Sequence, residues 1–226
     1  MTHQASGRIL HAQDAGAAGY DARLRSDQRA LRRLRLVEAP IRRLARDAAR
    51  ILDLGCGTGR LMVDLDLVRG RSVGVDLSLG MLREARGKGL AVACADAHVL
   101  PFADGAFDLV TAANAVFRYL RLEAALAEAA RVLAPAGRLA LHQYAARVWT
   151  PRRPFTPPVL RDPRHLEDLH SLRSAAAAQG LKLVSVSLWR GLRFWPYLVP
   201  IPRAVASRLW DHGVFVFEKR SCETGR

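Results

Sequence analysis

Three observations predict an α/β fold built around a mostly parallel sheet. Short apolar runs at 51–54, 72–76, 91–95, 107–112 and 138–144 alternate with helical periodicity near 59–68, 79–87 and 122–133. That alternation is the pattern of strand–helix–strand crossovers. The first run passes directly into glycines spaced Gly55-x-Gly57-x-Gly59. Half of the 226 residues are hydrophobic, enough for one large core, so one domain over 1–226 is expected.

The elements follow in chain order. Residues 1–49 read as a basic helical cap. Between 23 and 50 lie ten arginines and only three acids, Asp27, Glu38 and Asp47. Leu31, Leu34, Val37, Ile41, Leu44 and Ala48 recur at three- and four-residue spacing, so one face is apolar and docks on something. Pro40 is expected to open a second helix there.

A cofactor-binding core is expected over 50–144, opening with the buried strand Ile51-Leu52-Asp53-Leu54. The glycines after it can take φ > 0 and let a ligand lie against the backbone. The following helix offers unpaired N–H groups at its start. Ser72-Val73-Gly74-Val75-Asp76 reads as a second strand ending in a carboxylate, and Val92-Ala93-Cys94-Ala95-Asp96 as a third. Residues 97–106 form a short loop before a strand at Phe107. Arg131–Leu141 reads as a helix end, a Pro-Ala-Gly turn and a fifth strand. In the C-terminal part, 145–226, Pro163 and Gly180 bracket a helix over Arg164–Gln179, and strands are expected at Leu181–Leu188 and Val214–Glu218.

The glycine spacing is neither G-x-G-x-x-G nor a phosphate loop, because Arg60 follows and no Lys-Ser or Lys-Thr comes after it. With Asp53 two residues before Gly55, the run resembles motif I of the class I S-adenosylmethionine-dependent methyltransferases, of the small-molecule, methyltransferase domain 11-like kind. Asp76 with Leu77-Ser78-x-x-Met81, then Asp96-Ala97 with Leu100-Pro101-Phe102, and Arg131–Leu141 match the same family in order.

The resemblance implies a Rossmann-like, doubly wound sheet of seven strands, mostly parallel with the last antiparallel and helices on both faces. It implies S-adenosyl-L-methionine as cofactor and S-adenosyl-L-homocysteine as product. Gly55, Gly57, Asp76 and Asp96 would carry cofactor binding, Asp53 and Gly59 would shape the turn, and Cys56, Leu77, Met81, Ala97 and Asn114 would complete the site. Asp76 would accept from the ribose hydroxyls, Asp96 from the adenine amine, and the Ala97 N–H would donate to a ring nitrogen. Leu77 or Phe102 would pack on the purine. Helices before the first strand would cover the entrance, with Tyr20 in that lid.

The acceptor is expected to be a small, apolar or aromatic metabolite. Two segments rich in aromatic residues and prolines, 145–163 and 191–212, depart from strand–helix alternation. Trp149, Phe194, Trp195 and Tyr197, with Arg118 and Tyr119 after the fourth strand, are the candidate acceptor-facing residues. Arg118 stands where many relatives carry His and cannot act as a base. His142 is therefore the candidate base, set against a structural histidine in the core. Asn114-Ala115-Val116-Phe117 lacks the Asn-Pro-Pro-Tyr box of enzymes that methylate amino groups of nucleic-acid bases.

A net charge of +14 suits a polyanion, an anionic membrane or an acidic substrate. Yet the chain has three lysines against 32 arginines, a skew that codon bias produces, and the arginines are not interleaved with aromatics. Nucleic acid is thus not favoured, and peripheral membrane contact through Phe194–Val199 stays open. An RNA or protein methyltransferase using the basic helices is the second reading, and a cofactor-binding scaffold without catalysis the third. Cys56, Cys94 and Cys222 are too scattered for a disulfide framework or a metal cluster. No signal-peptide core precedes them, so a reduced, cytoplasmic protein is expected.

Overall fold

Strands buried on both faces require helices on both sides, and the computed structural model has that arrangement. It describes residues 13–67, 70–113, 117, 120–144, 169–191, 198–200 and 212–221. The strands are β1 (Ile51–Leu54), β2 (Ser72–Asp76), β3 (Val92–Cys94), β4 (Phe107–Ala112), β5 (Leu133–Tyr144), β6 (Leu181–Gly191), β7 (Leu198–Pro200) and β8 (His212–Lys219). The helices are α1 (Tyr20–Ser26), α2 (Gln28–Asp47), α3 (Arg60–Asp64), α4 (Leu79–Gly87), α5 (Leu122–Val132) and α6 (Leu169–Ala178).

The sheet order is β3-β2-β1-β4-β5-β8-β6-β7. β1 to β5 pair in parallel, while β8 runs antiparallel between β5 and β6. Seven strands thus form the expected sheet with its last strand antiparallel. The eighth, three-residue β7 pairs antiparallel with the outer edge of β6, within a segment expected to be irregular. Pro200 is tolerated there because an edge strand can dispense with an N–H.

Side-chain alternation divides the core into two layers. Leu52, Leu54, Val110, Leu139, Leu141, Phe215 and Phe217 face α5 and α6. Ile51, Leu109, Ala140, Val214 and Val216 face α2, α3 and α4. The carboxyl ends of β1, β2, β3 and β4 lie on one edge of the sheet, where the site is built.

Two expectations change. α2 continues through Pro40 as one 20-residue helix. Proline removes one helical hydrogen bond, at a cost of about 3 kcal/mol. Buried Ile41, Ala45 and Ala48 beyond it, and buried Glu38 before it, hold both halves on the same layer. β5 begins at Leu133, directly after α5, and the expected turn is a bulge within that strand. Ala136 takes φ 60 there. A side chain at Gly137 would strike the Ala134 carbonyl, its Cβ only 2.8 Å away.

Phe217 is fully buried on β8, the strand inserted between its neighbours. Phe217→Ala should remove about 3–5 kcal/mol of stability, read as a lower urea midpoint at unchanged m-value.

Candidate cofactor and active site

The turn after β1 needs glycine at three positions. Gly55, Gly57 and Gly59 have φ of 64°, 55° and 73°, left-handed values costly for any residue with a Cβ. The turn is then fixed from β2. Cys56 N–H donates to the Val75 carbonyl at 3.0 Å, and Gly57 N–H donates to Asp76 Oδ2 at 2.9 Å. Ser78 N–H donates to Asp76 Oδ1 at 2.8 Å. Each carboxylate oxygen keeps a further lone-pair site, enough for a ribose diol.

Asp53 lies below this turn, 2% exposed. Its Oδ1 accepts from Thr111 Oγ1 of β4 at 2.7 Å, so the side chain ties β1 to β4 rather than reaching the turn. Burial pushes its pKa up from 3.8 to about 7, against the opposing Thr111 hydrogen bond and the Arg60 charge. Arg60 forms a buried ion pair with Glu38 of α2 and a second with Asp64 at 2.6 Å. Burial disfavours its charge, but Glu38 and Asp64 more than offset this and hold the pKa above the ordinary value. Burial also drives the Cys56 thiol strongly upward, so it is a packing group rather than a nucleophile. A Cβ at Gly74 would lie 2.6 Å from Cys56 Sγ, so that glycine makes room for the thiol.

At the far side, Asp96 and Ala97 follow β3. Asp96 Oδ1 accepts from the His98 N–H at 2.9 Å and contacts His98 Nδ1 at 2.6 Å. Burial raises the Asp96 pKa, but His98 and Arg121 outweigh it and the net shift is downward. Leu77 is 46% exposed and available to a purine. Phe102 instead packs edge-to-face on Phe107, centroids 5.0 Å apart, and belongs to the core. Met81 is buried at the start of α4, its Sδ 4.0 Å from where a Gly57 Cβ would stand.

The N-terminal segment is clasped onto these elements by two acids that motif reading did not single out. Asp14 Oδ1 accepts from Ser78 Oγ at 2.5 Å and from the Gly80 N–H at 2.9 Å. A Cβ at Gly80 would approach the Asp14 carbonyl to 2.8 Å, so glycine allows this close passage. Asp21 of α1 accepts from Thr58 Oγ1 at 2.7 Å and pairs with Lys88. Lys88 Nζ also donates to the Thr58 carbonyl at 2.6 Å. Burial opposes the Asp21 charge, but Lys88 and Thr58 pull its pKa below the usual range. Lys88 carried a signal, being one of three lysines in an arginine-rich chain. Tyr20 of α1 is 36% exposed on this strap. Along α2, Ile41, Ala45 and Ala48 dock, whereas Arg35, Arg43 and Arg46 face solvent.

His142 of β5 is 1% exposed, on the same sheet face as Ala140 and paired across from Val214. Gln143 next to it is buried, and its Oε1 has no hydrogen-bond partner among the described residues. Asn114, Arg118, Tyr119, Trp149, Phe194, Trp195 and Tyr197 lie outside the described residues. A cavity of about 360 Å³ lined by Leu44, Asp108, Pro135 and Arg138 opens at the amino ends of the strands, the wrong end for this chemistry.

The donors and acceptors present fit S-adenosylmethionine. An open glycine cradle, a diol-ready carboxylate, exposed Leu77 and the Asp96–Ala97 edge match its amino-acid tail, ribose and purine. Residues 52–141 match the family model described as a methyltransferase domain. The chain is 31% identical over 169 residues to the demethylmenaquinone methyltransferase of Corynebacterium urealyticum, covering 72% of this chain and 68% of that protein.

The chain belongs to the S-adenosylmethionine-dependent methyltransferases.

A malonyl-[acyl-carrier protein] O-methyltransferase of Geobacter sulfurreducens is 41% identical over 138 residues, and this match spans about half of that protein, 50%. A Thermotoga maritima structure, a possible histamine N-methyltransferase, superposes with TM-score 0.68 at 19% identity, covering 91% of this chain and 98% of that one. At that identity the likeness shows the methyltransferase fold alone.

Two predictions follow from the buried and clasping acids. Asp53 protonates more readily folded than unfolded, so it withdraws stability as pH rises from about 4 to about 7. A rise from 3.8 to about 7 corresponds to on the order of 4 kcal/mol. In urea unfolding from pH 4.5 to 8.5, wild type should lose stability relative to Asp53→Asn across that window and level off above it. Asp21→Ala should release the strap, with faster trypsin cleavage after Arg23 or Arg25 and cofactor affinity lower by about five- to tenfold.

Proposed function

We propose that this methyltransferase acts on a small, apolar or aromatic metabolite. The observation that carries the reading is the 31% identity over two thirds of a relative named for demethylmenaquinone, an aromatic quinone. Support comes from the aromatic segments at 145–163 and 191–212. Charge-free Ala112 and Ala113 at the end of β4, next to Leu141 of β5, add to it. Free thiols at Cys56 and Cys94 suit a reducing compartment such as the cytoplasm. Among the described residues no helix is long and apolar enough to cross a membrane.

Bound S-adenosylmethionine supplies a methyl group on a sulfonium, which leaves as a neutral thioether. The chain's contribution is mainly position, because an in-line displacement gains most from holding both partners aligned. Asp76 would hold the ribose, Asp96 and Ala97 would orient the purine, and the glycine turn would leave backbone N–H groups open to the tail. Buried Asp53 would support the turn from below through its hydrogen bond with Thr111. His142 would accept the acceptor's proton where one must leave.

Calorimetric titration with S-adenosylmethionine and S-adenosylhomocysteine comes first. Asp76→Ala should weaken both by tenfold or more, the loss of a charged hydrogen bond. Labelled-methyl transfer is then measured to quinols and phenols, to RNA and to protein, at low and high salt. Salt-insensitive label in the small aromatics is expected, with His142→Ala lowering kcat about 100-fold. Salt-sensitive label in RNA or protein would replace this reading, and cofactor binding without transfer to any acceptor would favour a scaffold.

A further inference from the structure

His98 follows the adenine-reading pair but has no part in the motif that identified it. Its side chain is partly buried, 16% exposed, and it spans two loops. Arg121 N–H donates to His98 Nε2 at 2.9 Å. A backbone amide only donates, so Nε2 is the acceptor and the neutral ring carries its proton on Nδ1. Nδ1–H therefore donates to Asp96 Oδ1 at 2.6 Å, alongside the His98 amide at 2.9 Å. Both bonds fall on the same oxygen. Asp96 Oδ2 and the Ala97 N–H make no hydrogen bond among the described residues.

We propose that His98 is a positioning residue that makes the site selective for a 6-aminopurine, by locking the Asp96 carboxylate through one oxygen and anchoring it to the start of α5. The proposal rests on the reading of Asp96 as the acceptor for the cofactor's amine. An acceptor oxygen beside a donor N–H complements adenine, whose amine donates and whose N1 accepts. A 6-oxopurine has the reverse pattern, an accepting O6 and a donating N1–H, and meets like groups at both positions. That discrimination fails if the carboxylate can turn or take up a proton to donate. The Asp96 side chain is 49% exposed, so little besides His98 restrains it. Arg121, which caps α5 without a side-chain hydrogen bond, supplies the fixed point from which the ring is held.

The probes are S-adenosylhomocysteine and S-inosylhomocysteine, which carries a keto oxygen in place of the amine. Binding of each to the full-length protein is measured by calorimetry, with thermal melting as the check on folding. Wild type should prefer the adenosine form by about tenfold or more, and Asp96→Ala should abolish the preference. His98→Ala should cut it at least about fivefold. His98→Asn keeps a donor where Nδ1 stands but loses the Arg121 contact, and should restore the preference in part. His98→Gln reaches the Arg121 amide but not Asp96, and should not. If Asp96→Ala abolishes the preference while His98→Ala and His98→Gln keep it, the proposal is overturned and the reading of Asp96 survives. If Asp96→Ala leaves the preference intact, that reading falls and this proposal with it.

Discussion

The hydrogen bond from the Gly57 amide to the Asp76 carboxylate is the contact on which the rest of the site depends. It joins the turn after β1 to the end of β2, so two strands that are parallel neighbours are also tied at their carboxyl ends. The left-handed glycines let the amide turn toward the carboxylate, and Ser78 completes its coordination from the start of α4. A side chain at any of the three glycines would alter that geometry before it touched a ligand.

Charge is arranged around this contact in layers. Asp53 is buried beneath it, held largely by desolvation in a form that resists ionisation. The Arg60–Glu38 pair fastens the basic cap helix to the helix leaving the turn, and removing either partner would strand the other in the interior. Above it, Asp14 and Asp21 bind backbone amides, hydroxyls and Lys88. The arginine-rich exterior of α2 is thus the solvated side of a helix whose opposite side is engaged.

Features set by local rules were legible in the sequence. Apolar runs placed β1, β2 and β4 to the residue, and the glycine spacing marked the turn, because φ > 0 leaves few alternatives. The aspartates ending β2 and preceding Ala97 were visible as acids at strand ends. What depended on distant partners was hidden. Pro40 looked like a boundary because its local penalty is certain, while the buried layer that overrides it is assembled from β1, β4 and β8. Thr111 under Asp53, His98 beside Asp96 and Asp21 on Lys88 are pairings whose sequence separation or plain residue type offers no motif. Of the two residues offered for the purine face, only the structure assigns Phe102 to the core, through its ring contact with Phe107.

The position of β8 bears on how the chain is made. Residues 212–219 lie between β5 and β6, both of which precede them in the chain. During synthesis β1 to β5 can pair as they emerge from the ribosome, but β6 and its short partner β7 have no strand joining them to that sheet until β8 arrives. Until then the edge of β5, with buried Leu139 and Leu141, stays open to strands from other nascent chains. A translational pause before residue 212 would lengthen that exposure, and chaperone demand should concentrate in this interval.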